Sequence, residues 1–175
     1  MSAFTARLSA LVANDDPLAG IASTVALAVA AGQPTYPLYL LAIAGAAAAP
    51  AWATLASTPF FLMVPFVARR SSLAGRALLP LAGAANTFIG IWALGPGAGV
   101  ALFFLPCLWL AVQLFRPGEW RASLVCVVIV AVAYWLADGG APHFSRGIAE
   151  SMTRLNALSV AGLFVIAGRL FARRL

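Results

Sequence analysis

The chain has 175 residues, 63% of them hydrophobic and only 9% charged, with mean hydropathy +0.96 and a net charge of +6 carried by eleven Arg and no Lys. A soluble domain is about half apolar and about a quarter charged, and so short a chain cannot hide this much apolar surface in one core. The arithmetic argues against a soluble globular protein, a disordered chain and a nucleic-acid-binding domain, and predicts an all-α integral membrane protein. The absence of Lys suggests a high-GC bacterial genome, and hence the bacterial inner membrane.

Residues 1–16 are polar enough to stay out of a bilayer. Phe4, Leu8, Leu11 and Val12 share one helical face with Arg7 opposite, which predicts a short amphipathic helix lying on the inner surface. No basic segment leads directly into an apolar run, so this is not a signal peptide. Asp15 and Asp16 stand at a helix start and are expected to cap it rather than to hold a metal.

Uncharged stretches then count the crossings of the 17–175 transmembrane domain. They cover 17–68, 77–115, 122–137 and 155–168, and one crossing takes about 20 residues. The first two hold two helices each and the last two one each, which gives six. Seven results if 17–68 is cut into three. In 17–68 the Gln-Pro-Thr-Tyr-Pro step at 33–37 predicts a break, since Pro disfavours the helical state around it. One reading is helix 1 near 17–31 and a second element over 38–68, breaking at Pro50. The other is helix 1 over 20–45, distorted at 32–37, with helix 2 over 51–68. Helix 3 is predicted over 75–94, helix 4 over 99–116, helix 5 over 120–137, a loop over 138–153 and helix 6 over 153–172. Trp92, Trp120, Tyr134 and Trp135 sit near span ends, where aromatic belts form.

The Arg residues set the orientation. Arg69, Arg70 and Arg76 read as one basic loop, Arg116 and Arg121 as a second, and Arg169, Arg173 and Arg174 as a C-terminal cluster. Six helices with both termini cytoplasmic put all three inside, leaving Arg146 and Arg154 outside. Small residues recur every four positions at Ala22, Ala26 and Ala30, at Gly83 and Thr87, and at Ala157 and Ala161. Such faces let helices approach closely, within one bundle or across a dimer.

Chemistry-bearing groups are few. The spans carry almost no ionisable side chains, which disfavours a proton-coupled transporter. His143 stands alone in an outer loop and reads as a solvated residue, with a ligand or pH-sensitive contact as the alternative. Neither a haem nor a zinc site has enough ligands. Cys107 and Cys126 read as small buried hydrophobes. No hydrolase, metalloprotease or phosphate-loop motif occurs. The expectation is therefore no enzyme, no cofactor and no metal. Asn86, Thr87, Gln113, Asn156 and Ser159 lie inside spans and must find partners there, either as hydrogen bonds between helices or as the polar end of a lipophilic ligand pocket. Asn86, with Phe88 and Trp92 on helix 3 and Phe103, Phe104 and Trp109 on helix 4, would line an aromatic cavity with one or two polar groups, as ligand pockets tend to be lined.

From residue 69 onward the order of features is familiar. A basic loop ARRSSLAGR (68–76) opens a helix with ANTF (85–88). GPGAGVALFFLP (95–106), LFRPGEWR (114–121), an outer loop with Pro142 and RLNAL (154–158) follow. This resembles the six-helix membrane input domains at the N-terminus of many bacterial adenylate cyclases, diguanylate cyclases and sensor histidine kinases. The resemblance implies a dimeric sensory module signalling to a cytoplasmic output, with small lipophilic signals as its ligands. Helix 6 would carry the signal out through Arg169, Arg173 and Arg174. The chain stops soon after helix 6, where those proteins continue into a catalytic domain, so an isolated input domain or a stand-alone relative acting through a partner is expected. The expected partners are the lipid bilayer, a lipophilic small molecule, and a second copy or a cytoplasmic output protein, with no nucleic acid. The rival readings are a small-solute transport or substrate-capture subunit and a scaffold subunit of a membrane complex.

Overall fold

The structure is a computed structural model that describes residues 10–137 and 144–173. Its described residues are helical, with no strand among them. Residues 10–12 are helical, while Phe4, Arg7 and Leu8 of the amphipathic segment lie outside the described residues.

Helix α1 runs Pro17–Gly32. Asp16 caps it by accepting the Leu18 N–H at 3.0 Å, and Pro17 occupies the first turn, where its missing N–H costs nothing. The Gln-Pro-Thr-Tyr-Pro step does not end the rod. Gln33 and Pro34 both keep helical dihedrals and lead straight into α2, Thr35–Ala44. Pro37 falls in the first turn of α2, among the N–H groups that have no intrahelical partner in any case. The reversal comes instead at Gly45, whose φ of 59° and ψ of −147° lie in a region essentially reserved for glycine.

From there a 3-10 segment, Gly45–Ser57, runs into α3, Thr58–Arg70. So long a 3-10 run is uncommon, because side chains three apart eclipse one another. Here most of them are alanines, which have little to clash. The returning arm packs antiparallel: Asn14 donates to Ala68 O, and Gln33 to the Ser57 hydroxyl. The geometry matches the second sequence reading, one distorted helix to about residue 45 and a second after it.

Only Ser71 separates α3 from α4, Ser72–Leu94, and it caps α4 by accepting the Ala74 N–H. The basic loop read over 69–76 is thus a single residue, and Arg76 lies within the helix. α4 is the central rod, packed on α1, α3, the 3-10 segment and the two helices that follow it. The glycine-rich turn and a short 3-10 turn, Val100–Phe103, lead into α5, Phe104–Gln113. This helix is shorter than the 99–116 expected. α6 runs Trp120–Leu136. The last helix, α7, runs Arg146–Ala172 and so begins seven residues before the predicted start at 153. Most of the predicted 138–153 loop is therefore helix or outside the described residues.

Two apolar clusters stack along the bundle. One joins α1, α3, α4, α5 and the end of α7 through residues such as Val25, Phe61, Leu110, Leu114 and Ala167. The other, at the opposite end, joins Leu40, Leu94, Ala98, Phe104 and Met152. Arg69, Arg70, Arg116, Arg121, Arg169 and Arg173 gather at the first end, Arg146 and Arg154 at the second. The Ala22, Ala26 and Ala30 stripe is fully buried, whereas Ala157 and Ala161 face outward.

The helical stretches Pro17–Arg70, Ser72–Leu94, Pro117–Leu136 and Arg146–Ala172 are long and apolar enough to cross a membrane, and Val100–Gln113 is a shorter apolar one. Their outer faces are apolar as well. On α6 Leu124, Val125, Val128, Ile129 and Val132 are exposed, and Trp135 is 80% exposed. Contiguous apolar surface of this extent marks a membrane or partner interface.

Candidate functional site

Two polar assemblies interrupt this apolar architecture. The first sits at the Arg-rich end and is built on Arg76, which is 1% exposed. Its Nη1 and Nη2 donate to the two carboxylate oxygens of Glu119, each at 2.6 Å. Nη1 also donates to Leu114 O at 2.8 Å, satisfying a carbonyl at the end of α5. Nε lies 3.3 Å from Asp16 Oδ2, and Ser72 donates its hydroxyl to the same oxygen. Arg116 reaches Asp16 Oδ1 at 3.0 Å, and its backbone N–H donates to Glu119. Two cations and two carboxylates thus tie together the starts of α1 and α4 and the α5–α6 turn. A two-pronged Arg–carboxylate pair is strong and geometrically specific. Burial alone would raise the Asp16 carboxyl. The hydrogen bonds from Ser72 and the Leu18 N–H, with the charges of Arg76 and Arg116, outweigh it and hold Asp16 below its ordinary value.

The second assembly is a cavity of about 470 Å³ between the two apolar clusters. Its walls are mainly apolar: Val25 and Val29 of α1, Phe61 of α3, Leu79 of α4, Phe103, Cys107 and Trp109 around α5, and Leu155, Leu163 and Phe164 of α7. Trp109 stands edge-on to both Phe164 and Phe171, closing the end nearer the Arg cluster. A polar pole lies on one side. There Gln33 Nε2 donates to Ser57 Oγ at 2.7 Å and to Asn86 Oδ1 at 3.2 Å, and Thr58 donates its hydroxyl to Gln33 Oε1 at 2.5 Å. The wall residues that are exposed are Ala28 and Gly32 of α1, Thr35 and Tyr39 of α2, and Gly162 and Ile166 of α7. The cavity therefore opens sideways, between the α1–α2 rod and α7, and not at either end of the bundle.

Of the residues singled out from sequence as cavity-lining or ligand-binding, the structure brings Asn86, Phe103 and Trp109 together in this wall. Phe88 and Trp92 pair with each other, ring centroids 6.3 Å apart, with Trp92 pointing outward. Phe104 is buried in the second cluster, edge-on to Tyr134. These three lie off the cavity because they fall on other faces of α4 and α5. His143 lies outside the described residues. Arg169 and Arg173 are exposed at the end of α7, and Arg174 lies outside the described residues. Among the remaining polar residues, Ser159 lines the cavity, Thr87 donates to Gly83 O, and Gln113 is exposed. Sequence reasoning missed Gln33, Tyr36 and, apart from Ser159, the α7 wall. Gln33 is the lone Gln or Asn side chain of 17–68, and an amide inside an apolar run requires a partner.

No group of three or more His, Cys, Asp or Glu able to hold a metal occurs among the described residues. The chain matches no family model, no curated protein and no solved structure, so none of these comparisons identifies a cyclase or kinase input domain.

Proposed function

We propose that this chain is a non-enzymatic, membrane-embedded sensory or regulatory domain that receives a lipophilic signal and passes it to a cytoplasmic output. The observation that carries this reading is the sideways-opening apolar cavity with its polar pole. In a bilayer such an opening faces the acyl chains, so a lipophile would enter without crossing water. The topology that fits is six crossings: 17–44, 45–70, 72–94, 100–113, 120–136 and 146–172. The fourth is short, about 23 Å from its α and 3-10 rises, and the bilayer would thin or its flanks snorkel to meet it. Every Arg-rich turn then lies on one face, which the positive-inside rule makes cytoplasmic in the bacterial inner membrane.

α7 is the relay in this reading. It packs on the 96–103 turns at one end and on α5 near Trp109 at the other, with the cavity between. A guest seated there would favour one spacing of α7 over another, by no more than its difference in affinity for the two. The displacement would emerge at Arg169 and Arg173. The test is a doubly spin-labelled chain, Arg121→Cys with Ala172→Cys and both native cysteines replaced by Ala, in nanodiscs with and without 2-tridecanone. The expected result is a shifted or narrowed distance distribution with the ketone. A distribution that the ketone leaves unchanged overturns the relay.

A further inference from the structure

Several polar groups that line the cavity keep an N–H or O–H without an acceptor, and no Asp, Glu, Arg or His side chain joins them. Asn86 Oδ1 accepts from Gln33 Nε2 at 3.2 Å, and Gln33 is itself oriented by donating to Thr54 O and accepting from the Thr58 hydroxyl, which sets the Asn86 amide and leaves its Nδ2 with no acceptor among the described residues. Tyr36 is in the same position for a different reason. Asn156 is fully buried, and its Nδ2 donates to Ala98 O at 2.8 Å and to the Tyr36 oxygen at 3.2 Å. Turning that amide over would set its oxygen against Ala98 O, so the Tyr36 hydroxyl must accept. Its own proton then has no acceptor among the described residues. The hydroxyl of Ser159, on the facing helix, has no partner among them either. Gln33 and Tyr36 lie three apart on one helical path and Asn86 touches Gln33, so the segments that carry these donors adjoin along the cavity wall.

Resting on the reading of this cavity as a lipophile site, we infer that its occupant is an uncharged molecule whose polar end is a hydrogen-bond acceptor, a ketone or ester carbonyl held by Asn86 Nδ2 and the Tyr36 hydroxyl. At about 30 Å³ per non-hydrogen atom the volume admits about fifteen such atoms. A carboxylate or an ammonium would enter with no counter-charge in the wall and stay largely desolvated, which is strongly unfavourable. A plain hydrocarbon would fill the space and leave both donors unpaired. A bilayer lipid that inserts only one uncharged acyl-ester arm through the lateral opening, its headgroup left outside the wall, offers the same acceptor as a free ketone, so both sources are consistent with the assignment.

The test is native mass spectrometry of the full chain released from detergent, titrated with 2-tridecanone, tridecane and dodecylamine. The expected result is a one-to-one ketone adduct in preference to the hydrocarbon and the amine. Asn86→Leu and Tyr36→Phe should each weaken the ketone about tenfold, as one lost hydrogen bond does, while weakening tridecane not at all. A diacyl phospholipid that co-purifies and is displaced by the ketone assigns the site to bilayer esters. A ketone adduct on phospholipid-free chain assigns it to a diffusible lipophile. If all three probes bind alike, or the two variants leave the ranking intact, the acceptor assignment is overturned while the lipophile site stands. If none binds, the cavity reading itself falls. Circular dichroism of each variant separates lost binding from lost fold.

Discussion

Arg76 and Glu119 meet in a two-pronged ion pair although 43 positions separate them, and the pair bridges the first turn of α4 to the turn that begins α6. Asp16 completes the arrangement from the start of α1. The buried guanidinium spends its donors on Glu119, Leu114 O, Asp16 and Ser72. Removing it by Arg76→Ala takes from Glu119 its two-pronged partner, from Asp16 one of its two cations and from Leu114 O its side-chain donor, and should destabilise the fold by about 3–5 kcal/mol. Glu119→Gln keeps an acceptor but leaves the cation short of charge, at about 1–3 kcal/mol. Reversible unfolding in mixed micelles measures both. An Arg121→Ala control, which removes an exposed cation stacked on Trp120, should stay within about 1 kcal/mol.

Asp16 gives this assembly a pH signature. Its carboxyl titrates below the ordinary value in the folded chain, so the unfolded state binds the proton more readily. The charge of Asp16 therefore stabilises the fold fully at neutral pH. That contribution fades as pH falls below about 4, through the unfolded and then the folded value. Asp16→Asn isolates the charge, because Asn still caps a helix well. Its stability deficit against the native chain should be constant from pH 6 to 8 and shrink toward zero in acid. A deficit that persists unchanged at pH 2 would mean that Asp16 acts through shape and not through charge.

Helix approach supplies a sharper contrast. A Cβ at Gly75 would lie 2.4 Å from Ala68 Cβ and 2.5 Å from its Cα, so α3 and α4 touch backbone to backbone there. Gly75→Ala should cost about 1–3 kcal/mol by overpacking. At Gly168, inside α7, a Cβ meets nothing within 4 Å. Gly168→Ala should gain about 0.5–1 kcal/mol from helix propensity. Thermal unfolding of the two single variants should move in opposite directions.

Composition and charge spacing carry the all-helical architecture, because an apolar run long enough to cross a bilayer can satisfy its backbone there only as a helix or a closed barrel. The Arg76 assembly was half legible. Asp16 read as a cap and is one, but Arg76 read as a loop cation, since nothing local shows that a helix will bury it against an acid 43 positions away. The cavity was legible at Asn86, Phe103 and Trp109, and in part at Thr87 and Ser159. Its remaining wall depends on the α1–α2 path continuing through Pro34 and Pro37, where residue-level rules point to a break. The outcome is decided by where the turn can fall, and Gly45 offers a backbone state that neither proline does.

That turn makes the stretch before Arg70 a test of the whole topology. Ala46, beside the Gly45 reversal, and Ser145, ahead of α7, lie at the end with the glycine-rich turn; Ser71 and Gly118 lie at the Arg-rich end, and all four are exposed. Cys107 and Cys126 are buried and should contribute little background. With cysteine placed singly at these four sites, a membrane-impermeant maleimide added to intact cells should label Ala46→Cys and Ser145→Cys. The same reagent should reach Ser71→Cys and Gly118→Cys only in inverted vesicles. Labelling of Ala46→Cys and Ser71→Cys from the same side would mean that residues 45–70 do not form one crossing. The α1–α2 rod would then no longer stand alongside α7 across the bilayer, and the sideways opening between them would not face lipid.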